Sequence, residues 1–428
     1  MTTETSSLAL HGAPASLNID PGDIFHWPIV TEEDEQAVLE VLRAGTMSDT
    51  DIAKQFEQEF AAWIGTEYAL SFPNGTEALR SAMWAVGVSA GDEIICPSMT
   101  YWASAGPALT LGAAVNFADI DPNTLCIDVN DIEHRIGPKT RAIVVVHYCG
   151  HPCDMDPIME IAERHGIAVI EDVSHAHGAL YKGRMVGSIG HIAAMSMMGG
   201  KSFAIGEGGM LATNNRDWIE RAIAYGFYER THFETLEELK PFVGGPLGAK
   251  KDRLNQTCAA MGRVQLKHYD QRCAEIQAAV NRFWDLLEGL PGIRAHRPPA
   301  DSGSTMGGWY VARGLYRADE LGGVPCSKFC EAVRAEGVAD CWPGANGALH
   351  LHEIYHSADI FGMGQPTMIS FGQRDVRQGP GSLPVSESIY KIAFGVPWFK
   401  HDRPEIIEAY ANCYRKVAEH ADELKEEA

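Results

Sequence analysis

Long apolar runs are missing from this 428-residue chain. None approaches the ~20 residues a membrane-spanning helix needs, so no passage through a bilayer is expected. The opening MTTETSSLALHG has neither the basic start nor the apolar block of a secretory signal. The ten cysteines are scattered, without one CxxC pair, which argues against an extracellular disulfide framework and for reduced thiols in the cytoplasm. Positive charge is scarce: 35 Lys and Arg against 57 Asp and Glu leave a net charge of −22. That balance disfavours nucleic acid and anionic membranes as partners, while leaving room for a local cationic pocket that takes a small anion. Internal repeats and low-complexity segments are absent. What remains is ordinary for a water-soluble chain of two or three domains, with 45% hydrophobic and 21% charged residues.

Residues 1 to about 25 are polar and broken by Gly and Pro, and read as a loose arm. Thr31 to Gly45 reads as a helix, with Thr31 as N-cap, acids in the first turn and glycine at its end. Lys54 to Gly65 reads as a second, amphipathic helix carrying Phe56, Phe60 and Trp63. Short strand-like runs follow at Tyr68–Phe72, Glu93–Cys96, Ala113–Phe117 and Ala142–Val146, alternating with helical stretches. Recurrent βα units predict an α/β fold with a mostly parallel, doubly wound sheet and ligands at the strands' carboxyl ends. After the first strand, Asn74-Gly75-Thr76 opens a helix. Free N–H groups there suit a phosphate, and Thr76 adds a hydroxyl, though a plain capped turn has the same pattern. After the second, Tyr101 and Trp102 are placed to stack on a planar ring or to pack inward, and one of the two is expected in the core.

The stretch from Ile167 to Leu211 carries the chemistry. Ile167–Ile170 reads as a buried parallel strand ending on Glu171 and Asp172. Ile192–Met198 is a second apolar run; it stops at Gly199-Gly200, and Lys201 follows at once. The glycine-rich Gly206-Glu207-Gly208-Gly209 then leads into a third strand, Met210–Thr213. One carboxylate and one amine, each at the end of a strand of the same sheet, suit pyridoxal phosphate. The amine captures its aldehyde and the acid keeps its ring nitrogen protonated. Taken alone, a lysine after Gly-Gly also reads as a solvated loop residue.

Two histidine-rich patches invite a metal reading. His147, Cys149, His151 and Cys153 fit no standard zinc spacing, and His350, His352 and His356 beside Glu353 read as loop or pocket-rim histidines, so no metal is expected. Arg230, Arg253, Arg374 and Arg377 are unranked candidates for holding a substrate anion. The helical stretch Ala259–Leu290 leads into a mixed C-terminal part that ends in a helix over Pro404–Lys425. The boundary is placed near 270, giving an N-terminal arm and large domain (1–270) and a smaller C-terminal α/β domain (271–428).

With these pieces placed, the chain resembles the sugar aminotransferase (DegT/StrS) family of fold-type I pyridoxal-phosphate enzymes. The matching stretches are WPIVTEEDEQAVLEVLRAG, FEQEFAAWIG, NGTEAL, GDEIICPSMTY, GAAVNFADIDPNTLCID, TRAIVVVHYCGHPCDMD, IEDVSHAHGA and KSFAIGEGG, in order along nearly the whole chain. The resemblance implies a large domain with a mostly parallel seven-stranded sheet and pyridoxal 5'-phosphate as cofactor. It implies Lys201 as the Schiff-base lysine and Asp172 as the acid on the pyridine nitrogen. His175 takes the place of the residue that bonds the phenolic oxygen, and Tyr101 that of the ring-stacking aromatic. Gly75, Thr76 and Ser196 match phosphate ligands. Lys251 stands where the family usually has an asparagine that reaches a phosphate across a dimer interface, and is read as a cation doing the same work. Some members carry histidine in place of the lysine and dehydrate their substrate; Lys201 favours transamination.

The implied reaction moves an amino group from glutamate or glutamine to a keto-sugar or keto-cyclitol, in a homodimer with a shared active site. The segment LALHGAPAS, the chain length and the EDVSHAHGA and GEGG contexts resemble the amino-cyclitol and aminohydroxybenzoate branch more than the shorter nucleotide-sugar branch. A nucleotide-linked keto-sugar remains the alternative acceptor. A non-catalytic binding or regulatory protein built on the same shell is the alternative of another class; the intact set of Lys201, Asp172, Gly75, Thr76 and His175 argues against it.

Overall fold

The computed structural model describes residues 7–425. Helix α1 (Glu32–Ala44) starts in a reciprocal capping box between Thr31 and Asp34 and ends at Gly45, whose positive φ only glycine adopts freely. Helix α2 (Asp51–Ile64) buries Phe56 and Phe60 against Phe203, two residues beyond Lys201.

Seven strands form the large sheet: β1 (Tyr68–Phe72), β2 (Glu93–Pro97), β3 (Ala114–Ala118), β4 (Thr140–Val146), β5 (Ala168–Asp172), β8 (Ile192–Ser196) and β9 (Gly209–Thr213). A two-residue hairpin, β6 (Leu180–Tyr181) with β7 (Arg184–Met185), lies outside it. The order is β1-β9-β8-β5-β4-β2-β3, parallel throughout except for β9, which runs antiparallel to both its neighbours. Successive residues point to opposite faces: Ile143, Val145 and Val169 enter one core, Val144 and Ile170 the other. Burial on both sides explains why these strands read as unbroken apolar runs. The carboxyl ends of β1, β2, β4, β5 and β8 all open on one edge, and helix α3 (Gly75–Ala85) begins there, behind its N-cap Asn74.

A smaller antiparallel sheet, β10 (Ile293–Ala295), β11 (Arg313–Tyr316) and β12 (Ala393–Gly395), underlies the C-terminal part. The two parts share one 31-residue helix, Gln256–Leu286. Its residues up to Cys273 belong to the large-sheet core and those from Ile276 to the C-terminal core, so residue 270 lies inside a continuous rod rather than in a linker.

Two expectations are corrected. The arm is not loose over its described residues: Leu8 and Ile24 are buried in the C-terminal core, and Ser16 and Leu17 bond to Glu336. Its first six residues lie outside the described part. The last helix stops at Glu419 and passes into a 3₁₀ turn, Ala421–Leu424.

The segment 356–383 packs over the β3 side of the sheet. There the Gln378 side chain accepts from the Phe117 N–H at 3.0 Å and donates to its carbonyl at 2.8 Å, occupying the outer hydrogen-bonding edge of β3. No helix among the described residues is long and apolar enough to cross a membrane.

Candidate active site

The strand ends enclose a cavity of 380 Å³ lined by Gly75, Thr76, Tyr101, Asp172, His175, Ser196 and Lys201, seven of the eight residues expected from the sequence. Asp172 is the last residue of β5 and is 3% exposed. Its Oδ2 accepts from Ser104 Oγ at 2.7 Å and its Oδ1 from the Ser174 N–H at 3.0 Å. Ser104 is in turn 3.0 Å from Thr100 Oγ1, which donates to it, since the Ser104 proton is committed to Asp172. The acidic pair at the end of β5 therefore divides its work. Glu171 points the other way, into the core, where it accepts from the N–H groups of Gly187, Ile189 and Gly190 and faces His147 at 3.0 Å.

Lys201 follows β8 and is 8% exposed. Burial lowers its amine to about 8, against the opposing pull of the Asp172 and Cys149 charges. Its Nζ lies 4.0 Å from the centre of the Tyr310 ring, and its carbonyl accepts from Trp27 Nε1 at 2.9 Å. His175 is held well below the usual histidine range, first by burial and then by the charges of Lys201, His177 and Arg313. The neutral ring accepts from the Cys149 N–H through Nδ1, so its proton sits on Nε2, ready to be donated.

At the helix α3 end, the Gly75 and Thr76 N–H groups have no partner within the helix. A side-chain carbon at Gly75 would lie 2.6 Å from Ser196 Cβ and 2.7 Å from the Ser196 N, so only glycine lets the helix start against β8. The Ser196 N–H donates to Ser174 Oγ at 2.9 Å, and Ser196 lines the cavity.

Not every expectation is met in its detail. Tyr101 lines the cavity but is 50% exposed, and Trp102 equally so; neither of the pair enters the core. Lys251 is exposed and outside the cavity of its own chain, while Lys250 beside it is tied to Glu77 at 2.6 Å and Asp252 at 2.9 Å. The four arginines are each placed beside acids: Arg230 with Glu57, Arg374 with Glu93, Arg377 with Asp375, and Arg253 4.0 Å from Glu229.

Sequence reasoning passed over Thr100, Ser104, Tyr148, Ser174, Tyr310, Arg313 and Asn346, all of which line the cavity. Ser174 was within reach, two residues past Asp172 on the same strand exit. Tyr310 and Arg313 come from a segment without any motif.

Among the described residues no group of three or more His, Cys, Asp or Glu is placed to hold a metal ion. A larger open groove of 670 Å³ between α1, α2 and the long helix holds no comparable set; its Glu33–Lys267 and Glu59–Arg263 pairs neutralise each other.

A buried acid closing β5, an amine depressed by burial in the turn after the adjoining β8, and a helix N-terminus that glycine seats against β8 fit pyridoxal phosphate. Comparison with known proteins agrees: residues 28–358 match the model of the DegT/DnrJ/EryC1/StrS aminotransferase family. The chain belongs to that family.

It is 46% identical over 244 residues to a GDP-perosamine synthase of Caulobacter vibrioides, covering 57% of this chain and 64% of that protein. It is 32% identical over 343 residues to the L-glutamine:2-deoxy-scyllo-inosose aminotransferase of Streptoalloteichus tenebrarius, covering 78% and 80%. Among solved structures it resembles an aminotransferase from Psychrobacter cryohalolentis, with a TM-score of 0.76 and 29% identity over 90% of this chain and 96% of that one. The protein is a sugar-aminotransferase-family enzyme that uses pyridoxal phosphate.

Proposed function

We propose that this aminotransferase moves an amino group from glutamate or glutamine to a keto-sugar or keto-cyclitol, with Lys201 and Asp172 as its working pair. The observation that carries the reading is their joint burial in one cavity, Asp172 at the end of β5 and Lys201 in the turn after the adjoining β8. Pyridoxal phosphate, when bound, supplies an aldehyde that takes the amine and a ring that accepts electrons. Gly75, Thr76 and Ser196 would hold its phosphate, and Tyr101 would cover the ring. Asp172, fixed by Ser104 and Ser174, holds a proton at the ring nitrogen. His175 would donate from Nε2 to the phenolic oxygen. Lys201, half neutral near pH 8, takes a proton from the donor carbon that bears the amino group and later gives one to the acceptor carbon.

Lys251, exposed and outside the cavity of its own chain, is read as reaching the phosphate of the partner's site in a homodimer. Ten unpaired cysteines support a reducing, cytoplasmic setting. A nucleotide-linked keto-sugar is the second reading of the acceptor, and the 46% identity to a GDP-perosamine synthase favours it.

The test is spectroscopic. The protein reconstituted with pyridoxal phosphate is expected to be yellow and to lose that colour with glutamate or glutamine, and Lys201→Ala is expected to show neither the colour nor turnover. A colour unmoved by any amino donor would favour a binding protein. Amino-acid consumption with keto-cyclitols against nucleotide keto-sugars then separates the two acceptors.

A further inference from the structure

Arg313 is the first residue of β11 and lines the cavity from the small-sheet side, with Tyr310 and Asn346. Its guanidinium has no carboxylate partner among the described residues, and its Nε is buried without an acceptor. A half-buried charge is normally paired, because desolvation without compensation costs more than the fold recovers. At Gly395, opposite it in β12, a side-chain carbon would lie 2.6 Å from the Asp340 carbonyl and 2.9 Å from Nη1, so the guanidinium lies close against that strand. The charge is also felt inside the cavity. After burial, which dominates each group, it disfavours protonation of His175 and favours the ionised forms of Tyr148, Cys149 and Tyr310. The acids of the cavity do not answer it: Asp172 is engaged by Ser104 and Ser174, and Glu207 is solvent-exposed.

We propose that Arg313 is the residue that binds the α-carboxylate of the amino donor. Tyr310, three residues earlier on the same segment, places its ring 4.0 Å from Lys201 Nζ, so this segment borders the reacting amine. An amino acid carries its carboxylate on the very carbon whose nitrogen reacts, and it needs a cation on that side. A sugar or cyclitol ring offers only hydroxyls beside its reacting carbon, and the diphosphate of a nucleotide-linked one is attached away from that carbon. The planar guanidinium fork matches a carboxylate through two parallel hydrogen bonds, and lysine does not reproduce that geometry. The inference rests on the transamination reading and names the donor group that the reading leaves open.

The experiment follows the bleaching of the yellow holoenzyme by glutamate and by glutamine, in wild type, Arg313→Gln and Arg313→Lys. With the visible absorbance of the holoenzyme unchanged, Arg313→Gln is expected to raise the half-saturating donor concentration roughly 10- to 100-fold, the scale of losing a charge-assisted pair, and Arg313→Lys to recover part of it. The spectral change produced by n-propylamine, which forms the imine but lacks the carboxylate, is expected to be the same in all three. Equal donor saturation in wild type and Arg313→Gln overturns the inference. So does a variant normal towards both donors but impaired towards the keto acceptor. If the wild type bleaches with neither donor, the transamination reading falls; calorimetric titration with 2-oxoglutarate then decides the carboxylate site, supporting it if Arg313→Gln weakens binding and overturning it if not.

Discussion

Ser104 donates a 2.7 Å hydrogen bond to Asp172 from the loop that follows β2, tying the exit of one strand to the exit of another. Together with the Ser174 N–H it engages both carboxylate oxygens, so the acid is held in one orientation. Asp172→Asn is expected to lower kcat by roughly 100- to 1,000-fold, the scale of removing one preorganised electrostatic group. Ser104→Ala keeps the charge and loosens its orientation, and is expected to lower kcat by only about 2- to 12-fold, the worth of one net hydrogen bond. Steady-state rates of both variants at saturating cofactor check the order; a Ser104→Ala defect as large as that of Asp172→Asn would contradict it.

The buried Lys201 amine is half neutral at about pH 8, whereas an ordinary lysine reaches that point near ~10.4. Only the neutral form attacks an aldehyde, and its share grows as pH rises. The rate at which cofactor-free protein recaptures pyridoxal phosphate is therefore expected to climb up to about pH 8 and then level off. A rate still climbing tenfold per pH unit beyond pH 9 would mean that the amine is not depressed.

Gly75→Ala places a methyl group into the backbone of Ser196. Because the obstacle is main chain of a central strand, it cannot swing aside. The variant is expected to lose about 1–3 kcal/mol of stability, and to bind pyridoxal phosphate weakly because the N–H cradle is pushed off β8. Thermal denaturation and a cofactor titration measure the two effects separately. A fully stable variant with normal affinity would show that the close approach is not needed.

Lys251→Ala tests the shared site. Loss of one charge-assisted contact to phosphate predicts a cofactor dissociation constant roughly tenfold higher, with the rate at saturating cofactor little changed. An unchanged constant would remove Lys251 from the phosphate site.

The sheet and seven residues of the cavity wall were legible because local rules carried them. Apolar runs of strand length, a helix opening on Asn74-Gly75-Thr76 and an acid closing β5 are all consequences of residues near one another in the chain. Tyr310, Asn346 and Arg313 were not legible because their roles come from distance: the small sheet brings residues more than 100 positions from Lys201 to the same cavity. The fates of Tyr101 and Trp102 were hidden for another reason. An aromatic pair beyond a strand reads alike whether it packs inward or stands open at a pocket mouth, and here both are half exposed. The arm misled through composition, since its polar residues conceal the two, Leu8 and Ile24, that anchor it.

The grip of Gln378 on Phe117 has a bearing beyond architecture. A terminal strand with bare amides and carbonyls invites another chain to continue the ladder, and this protein fills that vacancy with a side chain from far along its own sequence. Trimming the segment to shorten the enzyme would leave catalysis chemically complete while turning β3 into a template for aggregation.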